Sequence, residues 1–145
     1  MKRKYELTNE TLEASGHTLY RIRALIDFGD VKAGDLGGFV DTDHVIAPYG
    51  DCWVTGDARV YDNTAISGNA KVSGNACIFR SIWLFGNCHV CGDAYIFNSQ
   101  RTHRFISRRM ITGNFKVNSG IWDTMMRLHN RLYLVSTTLK KLLLE

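Results

Sequence analysis

Proline, long apolar runs and a disulfide pattern are all missing or scarce in this 145-residue chain. It has one proline, which suits a fold of strand ladders because proline removes a backbone donor. No apolar run approaches the roughly 18 residues that a membrane helix needs, so no membrane partner is expected. The four cysteines lie in or beside a repeat, and no apolar stretch follows the basic residues after Met1. We therefore expect reduced thiols, no secretory signal and a cytoplasmic location.

Acidic residues are few towards the end of the chain, although the whole sequence has a net charge of only +4. Residues 1–51 carry six basic and nine acidic side chains, whereas residues 100–145 carry nine basic and two acidic ones. A basic end attracts anions such as nucleic acid, a phosphorylated ligand or an acidic protein face. Solvated surface charge without a partner is the alternative.

A six-residue repeat runs eight times from Cys52 to Ser99. Each unit has an aliphatic residue, and most have a small residue two positions earlier and a Gly-Asn, Gly-Asp or Asp-Asn pair afterwards. The aliphatic residues are Val54, Val60, Ile66, Val72, Ile78, Leu84, Val90 and Ile96. The residues two positions earlier are Cys52, Ala58, Thr64, Ala70, Ala76, Ile82, Cys88 and Ala94. Since side chains alternate along a strand, both sets should face inward, and the residues between them, such as Trp53 and His89, outward.

This short period predicts an all-β solenoid, because one hexad cannot bury its own apolar face without a neighbouring coil. Three hexads would complete a triangular coil, with parallel strands about 4.8 Å apart. A four-sided prism is the closest alternative. A β-sandwich would need turns about every 8–12 residues rather than every six.

The repeat divides the chain into three parts. Residues 1–50 are predicted to supply capping strands and a lead-in, residues 51–120 the β-helix, and residues 121–145 a C-terminal hairpin and a short helix that form a second cap. Ile111 follows Ile96 by fifteen residues, so the repeat is interrupted. A basic loop is predicted over residues 99–109.

Several segments together resemble a known family. They are Thr18–Leu25, Asp27–Val40 and Cys52–Val54, followed by hexads that contain Gly-Asn-Ala. In residues 3–99 the chain is similar to the YdcK-like hexapeptide-repeat proteins of bacteria and their phages. The resemblance implies a left-handed parallel β-helix, a phage or prophage origin, and a family function that is largely unknown. It brings no catalytic residues, and the chain differs from longer members by its short stack and arginine-rich loop.

The predicted basic loop is the first candidate site. Arginine suits phosphate or acidic partners, and an aromatic ring can stack on a base. The predicted partner-binding or anion-binding residues are Arg101, His103, Arg104, Phe105, Arg108 and Arg109. Pairing of these arginines with Asp41 or Asp43 of a neighbouring subunit is the alternative.

Three aromatic residues form the second candidate site. Tyr61, Phe79 and Phe97 are eighteen residues apart, so a triangular coil places them in one column. We expect them to point outward and to form an apolar stripe for a homo-oligomer or a protein partner. If they point inward near a corner, they belong to the core instead.

Catalytic and metal-binding sites find less support. Acyl transfer would need a base, for which His89 or His103 is available, and arginines for the phosphates of coenzyme A. However, few coils leave little wall for that cofactor, and no polar group is evident to orient either histidine. Cys88-His89-Val90-Cys91 suggests zinc, yet no second cysteine pair completes four ligands. The sequence therefore predicts no catalytic residue, metal or cofactor.

Together these features predict a non-enzymatic interaction protein of phage type. We expect self-association and binding of a host or phage protein, or another anionic partner, at the basic end of the chain. Inhibition of a host system is one form that this binding can take. Two alternatives stay open: an acyltransferase-like hexapeptide-repeat enzyme, and a nucleic-acid-binding protein that uses the arginine-rich loop.

The assigned register makes a direct prediction at Val72. Val72→Asp should destroy the fold, because it buries a charge in a narrow apolar core. The measurement is thermal unfolding of the purified variant followed by circular dichroism. A soluble Val72→Asp protein that melts cooperatively would show that the register is wrong.

Overall fold

The computed structural model describes residues 3–97, 104–107, 110–111 and 116–118. These residues form an all-β structure, and no helix that could cross a membrane is found among them. The first three strands are β1 (Tyr5–Ala14), β2 (His17–Ala24) and β3 (Leu36–Val40). The strands that follow are β4 (Trp53–Val54), β5 (Arg59–Val60), β6 (Ala65–Ile66), β7 (Lys71–Val72), β8 (Cys77–Phe79), β9 (Ile82–Phe85), β10 (His89–Val90), β11 (Tyr95–Phe97), β12 (Arg104–Ser107), β13 (Met110–Ile111) and β14 (Lys116–Asn118).

The short strands stack in parallel on three faces of a solenoid of about three turns. One face has the order β1-β2-β3-β5-β8-β11-β14, the second β13-β10-β7-β4, and the third β12-β9-β6. Within the repeat, partners on adjacent coils are eighteen residues apart, as in the pairing of Trp53 with Lys71. The predicted parallel β-helix with three hexads to a coil is therefore confirmed. The hairpin and helix predicted over residues 121–145 lie outside the described residues.

The core lies inside the coils and contains the inward positions of every hexad. All eight aliphatic residues from Val54 to Ile96 are at most 1% exposed, and the residues two positions before them are at most 3% exposed. This arrangement stacks aliphatic side chains along the axis, where removal of apolar surface from water contributes about 25 cal/mol for each Å². The inward register predicted from the repeat is therefore confirmed.

The corners need residues that tolerate a positive φ and a close neighbour. At Gly74 φ is 68°, and a Cβ atom there would lie 2.8 Å from the carbonyl oxygen of Gly92 in the next coil. Asp62 and Asn63 adopt the same left-handed conformation without glycine, with φ of 59° and 60°. There the Asp62 amide donates to Asp41 Oδ2 at 3.0 Å, which fixes the corner to the lead-in segment.

The structure differs from the expected loop over residues 99–109. Arg104–Ser107 form a strand that pairs in parallel with β9, with Phe105 in register with Trp83. These two residues are 22 positions apart instead of eighteen, so extra residues enter this coil without removing its strand. The sequence pattern did not indicate this strand, because the six-residue period is interrupted at this point. A strand therefore interrupts the predicted loop, and residues 98–103 and 108–109 lie outside the described part of the chain.

The N-terminal hairpin β1–β2 covers the open edge of the first coil. In the later coils, a corner glycine carbonyl accepts an amide from the coil before it, as Gly92 does from Asn75 at 2.8 Å. Gly50 and Gly56 lie in the first coil, where the repeat supplies no earlier amide. Their carbonyls accept instead from Lys4 Nζ at 3.0 Å and from an Arg21 guanidinium nitrogen at 3.1 Å. Two cations of the hairpin thus take the place of a missing coil.

Lys4 is buried, with 3% of its surface exposed. Its Nζ also donates to the Cys52 carbonyl at 2.8 Å and lies 4.1 Å from the centre of the Phe28 ring. Burial lowers the pKa of Lys4 below that of a lysine in water. Several carbonyl acceptors and one aromatic face compensate for this loss of hydration.

Arg21 is the second residue that attaches the hairpin to the first coil. It donates to the Gly37 carbonyl at 2.8 Å and forms an ion pair with Asp57 at 3.1 Å. Its guanidinium also lies 4.3 Å from the centre of the Phe39 ring. Because Asp57 belongs to the repeat and Gly37 to β3, Arg21 connects the hairpin, the lead-in and the first coil.

The predicted aromatic column is present, but most of it is covered. Tyr61 stacks on Phe79 with ring centres 5.2 Å apart, and Phe79 stacks on Phe97 at 5.4 Å. However, Tyr61 is 2% and Phe79 6% exposed, since the hairpin packs over them with Leu19 and His17. The expectation of an exposed oligomer stripe is therefore wrong for Tyr61 and Phe79, which form a second small core. Phe97, at the end of the column farthest from Tyr61, is half-buried.

Trp53 is a second outward position that the cap buries. Its register is the predicted one, but only 1% of its surface is exposed. Tyr5 and Phe28 pack edge-on against it, with ring centres 6.2 and 5.3 Å away. Trp53 therefore faces outward, as predicted, but it is not exposed, because residues outside the repeat pack over this face.

The cap predicts a large effect of a single substitution at Lys4. Lys4→Met keeps much of the side-chain volume but leaves the Gly50 and Cys52 carbonyls without their donor, which should lower the free energy of unfolding by about 2–4 kcal/mol. Chemical denaturation of both proteins measures the difference. Lys32→Met is the matched control, because the Lys32 side chain is 70% exposed. Equal stability of Lys4→Met and wild type would show that the buried ammonium does not hold the edge.

Candidate functional site

The structure describes only part of the predicted basic site. Arg104 and Phe105 lie in β12, beside β9 on the third face of the solenoid. Arg101, His103, Arg108 and Arg109 lie outside the described residues. The pairing of β12 with β9 therefore locates only Arg104 and Phe105 among the predicted residues, on a strand of the third face.

That face carries two exposed aromatic side chains on β9. Trp83 is 38% and Phe85 39% exposed, whereas the residues that alternate with them, Ile82 and Leu84, are buried. This alternation is that of a strand with one face in the core, so both rings project to the same outer side. Aromatic rings that stay accessible offer a large contact area at a small cost in side-chain entropy. We call Trp83 and Phe85 the β9 aromatic pair.

A groove on the second face is the other candidate. Trp53, Lys71 and His89 occupy the outward positions of β4, β7 and β10, in register with one another. The segment from Asp30 to Leu36 passes beside them and encloses a groove of about 510 Å³. The floor of the groove is thus solenoid and its wall is cap, so neither part forms it alone.

His89 has a polar neighbour in this groove. Ser73 Oγ lies 3.2 Å from His89 Nε2, and the hydroxyl can donate to a neutral ring nitrogen or accept from a protonated one. The two residues are sixteen positions apart on adjacent coils. The sequence analysis found no group to orient His89 and so missed Ser73, which the eighteen-residue coil places within reach.

The charges around this groove are mixed. Lys71 donates to the Asp51 carbonyl, while Asp30 and Asp35 line the opposite wall. An ammonium and an imidazole on one side and two carboxylates on the other suit a polar ligand better than an apolar one. The groove can therefore bind a polar group and hold an imidazole beside it.

The two cysteines of the Cys88-His89-Val90-Cys91 segment differ in burial, and both are free thiols. Cys88 is buried at an inward position, while Cys91 is half-buried beyond the strand. In the part of the chain that the structure describes, no group of three or more His, Cys, Asp or Glu side chains could hold a metal ion. The absence of a metal remains a prediction for the whole protein.

Comparison with known proteins gives one informative similarity. No protein-family model matches the chain. The chain is 36% identical over 78 residues to the uncharacterized acetyltransferase YdcK of Escherichia coli strain K12. The aligned region covers 48% of this chain and 24% of YdcK. It thus spans about a quarter of the length of that curated relative. Together with the solenoid, this similarity confirms the predicted resemblance to YdcK-like hexapeptide-repeat proteins.

Proposed function

We propose that this chain is a non-enzymatic interaction protein that binds an acidic protein surface through the third face of its solenoid. The observation that carries the proposal is the pairing of β12 with β9. This pairing brings the strand that contains Arg104 and Phe105 next to the β9 aromatic pair. Accessible aromatic rings and arginines are the residues that most often dominate the binding energy of protein interfaces.

The charge distribution supports an acidic partner. Residues 100–145 carry nine basic side chains and two acidic ones, and one of the basic residues, Arg104, lies in the strand beside β9. A basic patch steers an acidic partner to the surface and raises its association rate. Trp83 and Phe85 would then supply the apolar contact that stabilises the complex.

The partner can belong to one of two classes of molecule. The first is an acidic host protein, which this chain would inhibit as a phage protein. Single-stranded nucleic acid is the alternative anionic partner, because its bases stack on aromatic rings and its phosphates pair with arginine. Nuclease treatment separates the two, since only a protein partner survives it.

The interaction proposal predicts the outcome of an affinity pull-down from host lysate with nuclease present. The wild type should recover one stoichiometric protein. Replacement of Arg101, Arg104, Arg108 and Arg109 by alanine, or Phe85→Ala alone, should abolish or strongly weaken its recovery while the fold melts cooperatively as before. Phe85 is 39% exposed, and a melting temperature of Phe85→Ala close to that of the wild type separates lost binding from lost packing.

Tyr49→Ala is the matched control for this pull-down. Tyr49 is 68% exposed, but it lies in the lead-in segment and not on β9. The Tyr49→Ala protein should therefore recover the partner as the wild type does. Equal recovery by the wild type, the quadruple arginine variant and Phe85→Ala would remove the third face from the proposal, and recovery of nucleic acid alone would favour the alternative partner.

Acyl transfer in the groove of the second face is the second candidate function. The contact between Ser73 Oγ and His89 Nε2 favours it, because a catalytic base must be oriented within reach of the acceptor. The partial similarity to an uncharacterized acetyltransferase also favours this candidate. In this mechanism His89 would take a proton from the acceptor as that acceptor attacks the thioester carbonyl of an acyl donor. Collapse of the tetrahedral intermediate would break the C–S bond, and the thiolate would leave with the proton that His89 returns.

Acetyl-coenzyme A separates the two candidate functions. An acyltransferase should gain thermal stability when this ligand is added, by about 2.7 kcal/mol at a hundredfold excess over Kd. His89→Ala should then lose acetyl transfer, and His44→Ala should keep it, because the His44 side chain is 90% exposed on the lead-in segment. The interaction proposal predicts no change in melting temperature with acetyl-coenzyme A.

A further inference from the structure

The contact between Ser73 and His89 joins a hydroxyl to an imidazole in the groove of the second face. Ser73 Oγ lies 3.2 Å from His89 Nε2, and both residues line this groove of about 510 Å³. A serine hydroxyl is a weak nucleophile by itself, and a base within hydrogen-bond reach activates it by taking its proton. The two side chains therefore have the chemistry and the separation of a nucleophile and its base. We call them the Ser73–His89 pair.

The backbone holds the Ser73–His89 pair in this arrangement. The Ser73 amide donates to the Val90 carbonyl at 2.9 Å, and the Lys71 amide donates to the Cys88 carbonyl at 2.8 Å. These two bonds join the second coil to the third on either side of His89, which is itself in register with Lys71. Side chains on paired strands keep their separation better than side chains on loops. The geometry of the pair is thus built into the sheet.

Ser67 shows that the repeat position alone does not create such a contact. It occupies the same place as Ser73 in the preceding hexad, and both residues are half-buried. The Ser67 hydroxyl donates to the Leu84 carbonyl at 3.4 Å, so it is bonded to the backbone and not to a base. One repeat position therefore carries a structural hydroxyl on the third face and a hydroxyl beside an imidazole on the second.

The rest of the groove suits an acyl group. Val31 and Leu36 on the cap wall offer apolar surface to a short acyl chain, and Leu36 is 57% exposed. Thr55 lies eighteen residues before Ser73 and lines the same groove from the adjacent coil. Its hydroxyl can donate to the oxyanion that forms when a nucleophile attacks a carbonyl. A nucleophile, a base, an oxyanion donor and an apolar wall thus meet in one groove.

We propose that Ser73 is a nucleophile that takes the acyl group of a short-chain ester or thioester, with His89 as its base. This inference rests on the second candidate function, acyl transfer, and adds a covalent step to it. Ser73 Oγ attacks the carbonyl carbon while His89 takes the hydroxyl proton. The bond from that carbon to the leaving oxygen or sulfur then breaks, and His89 returns the proton to the leaving group.

The acyl-serine is released in a second step. Water or another acceptor attacks the acyl carbon, and His89 takes the proton of the acceptor. The bond between this carbon and Ser73 Oγ then breaks, and the proton returns from His89 to Ser73. A serine and a histidine together accelerate the reaction less than a complete triad. Covalent capture of Ser73 is therefore a more sensitive test than turnover.

Labelling of the full chain with an alkyl fluorophosphonate tests the proposal. An activated serine attacks the phosphorus of this probe, fluoride leaves, and peptide mass spectrometry should locate the label on Ser73. His89→Ala should slow labelling by about a hundredfold or more, and Thr55→Val by about tenfold or more. Ser67→Ala is the matched control and should be labelled at the wild-type rate. Ser73→Ala should take no label and should melt close to the wild-type temperature.

Two acyl donors identify the leaving group. p-Nitrophenyl acetate is an ester and acetyl-coenzyme A is a thioester, and at least one of them should acetylate Ser73. Three results would overturn the proposal: the fluorophosphonate does not label Ser73, the wild type and His89→Ala are labelled at equal rates, or neither donor acetylates Ser73.

Further variants separate the covalent step from both candidate functions. Acetyl transfer that Ser73→Ala keeps and His89→Ala loses would support acyl transfer but remove the role of Ser73. Ser73→Ala should still recover the protein partner of the third face, whereas Phe85→Ala should lose that partner and keep the label on Ser73. The covalent step, acyl transfer and the interaction proposal can therefore fail separately.

Discussion

The open strand edge of the first coil is the constraint on which the rest of this structure depends. A stack of parallel strands leaves backbone acceptors unpaired at its end, which costs stability and invites pairing with other chains. Here two cations of an N-terminal hairpin satisfy them. Lys4 and Arg21 donate to the carbonyls of Gly50 and Gly56, where another coil would otherwise place its amides. A buried charge is tolerable at Lys4 because several carbonyl acceptors and an aromatic ring surround it.

The same cap determines which surfaces of the solenoid can act on other molecules. The hairpin and lead-in cover Trp53 on the second face and Tyr61 and Phe79 beside the first face. They leave Trp83 and Phe85 accessible on the third face, next to the strand that holds Arg104. The groove of the second face also forms where the cap meets the coils, since its wall comes from the cap and its floor from the solenoid. The functions proposed for this chain therefore depend on this junction as much as on the repeat.

The sequence predicted what the repeat controls and missed what the flanks control. Alternation and period fixed the inward residues, because a one-residue shift would have placed polar side chains in the core. Burial of Trp53 and Tyr61 could not be read from the hexads, since the residues that cover them precede the repeat. The strand at Arg104–Ser107 was missed because inserted residues break the period without breaking the coil.

The candidate sites were less accessible to sequence reasoning than the fold. Ser73 and His89 come together only through the coil geometry. The eighteen-residue register pairs His89 with Lys71, and Ser73 is the next outward position after Lys71 on the same coil. The groove around His89 also depends on the segment from Asp30 to Leu36, which lies outside the repeat, so a pattern search has no signal for it. Residue spacing thus identifies neighbours within the solenoid, while the cap must be seen in three dimensions.

Native-state hydrogen exchange tests the central claim most directly. The amides of Trp53 and Thr55 in the first coil donate to carbonyls of the second coil at 3.2 and 2.8 Å, and Lys71 in the second coil donates to the third at 2.8 Å. If the hairpin holds the edge, all three amides should exchange only through global unfolding, with the same free energy and the same dependence on denaturant. Much faster exchange of Trp53 and Thr55 than of Lys71, without dependence on denaturant, would show that the first coil frays. That result would contradict the account.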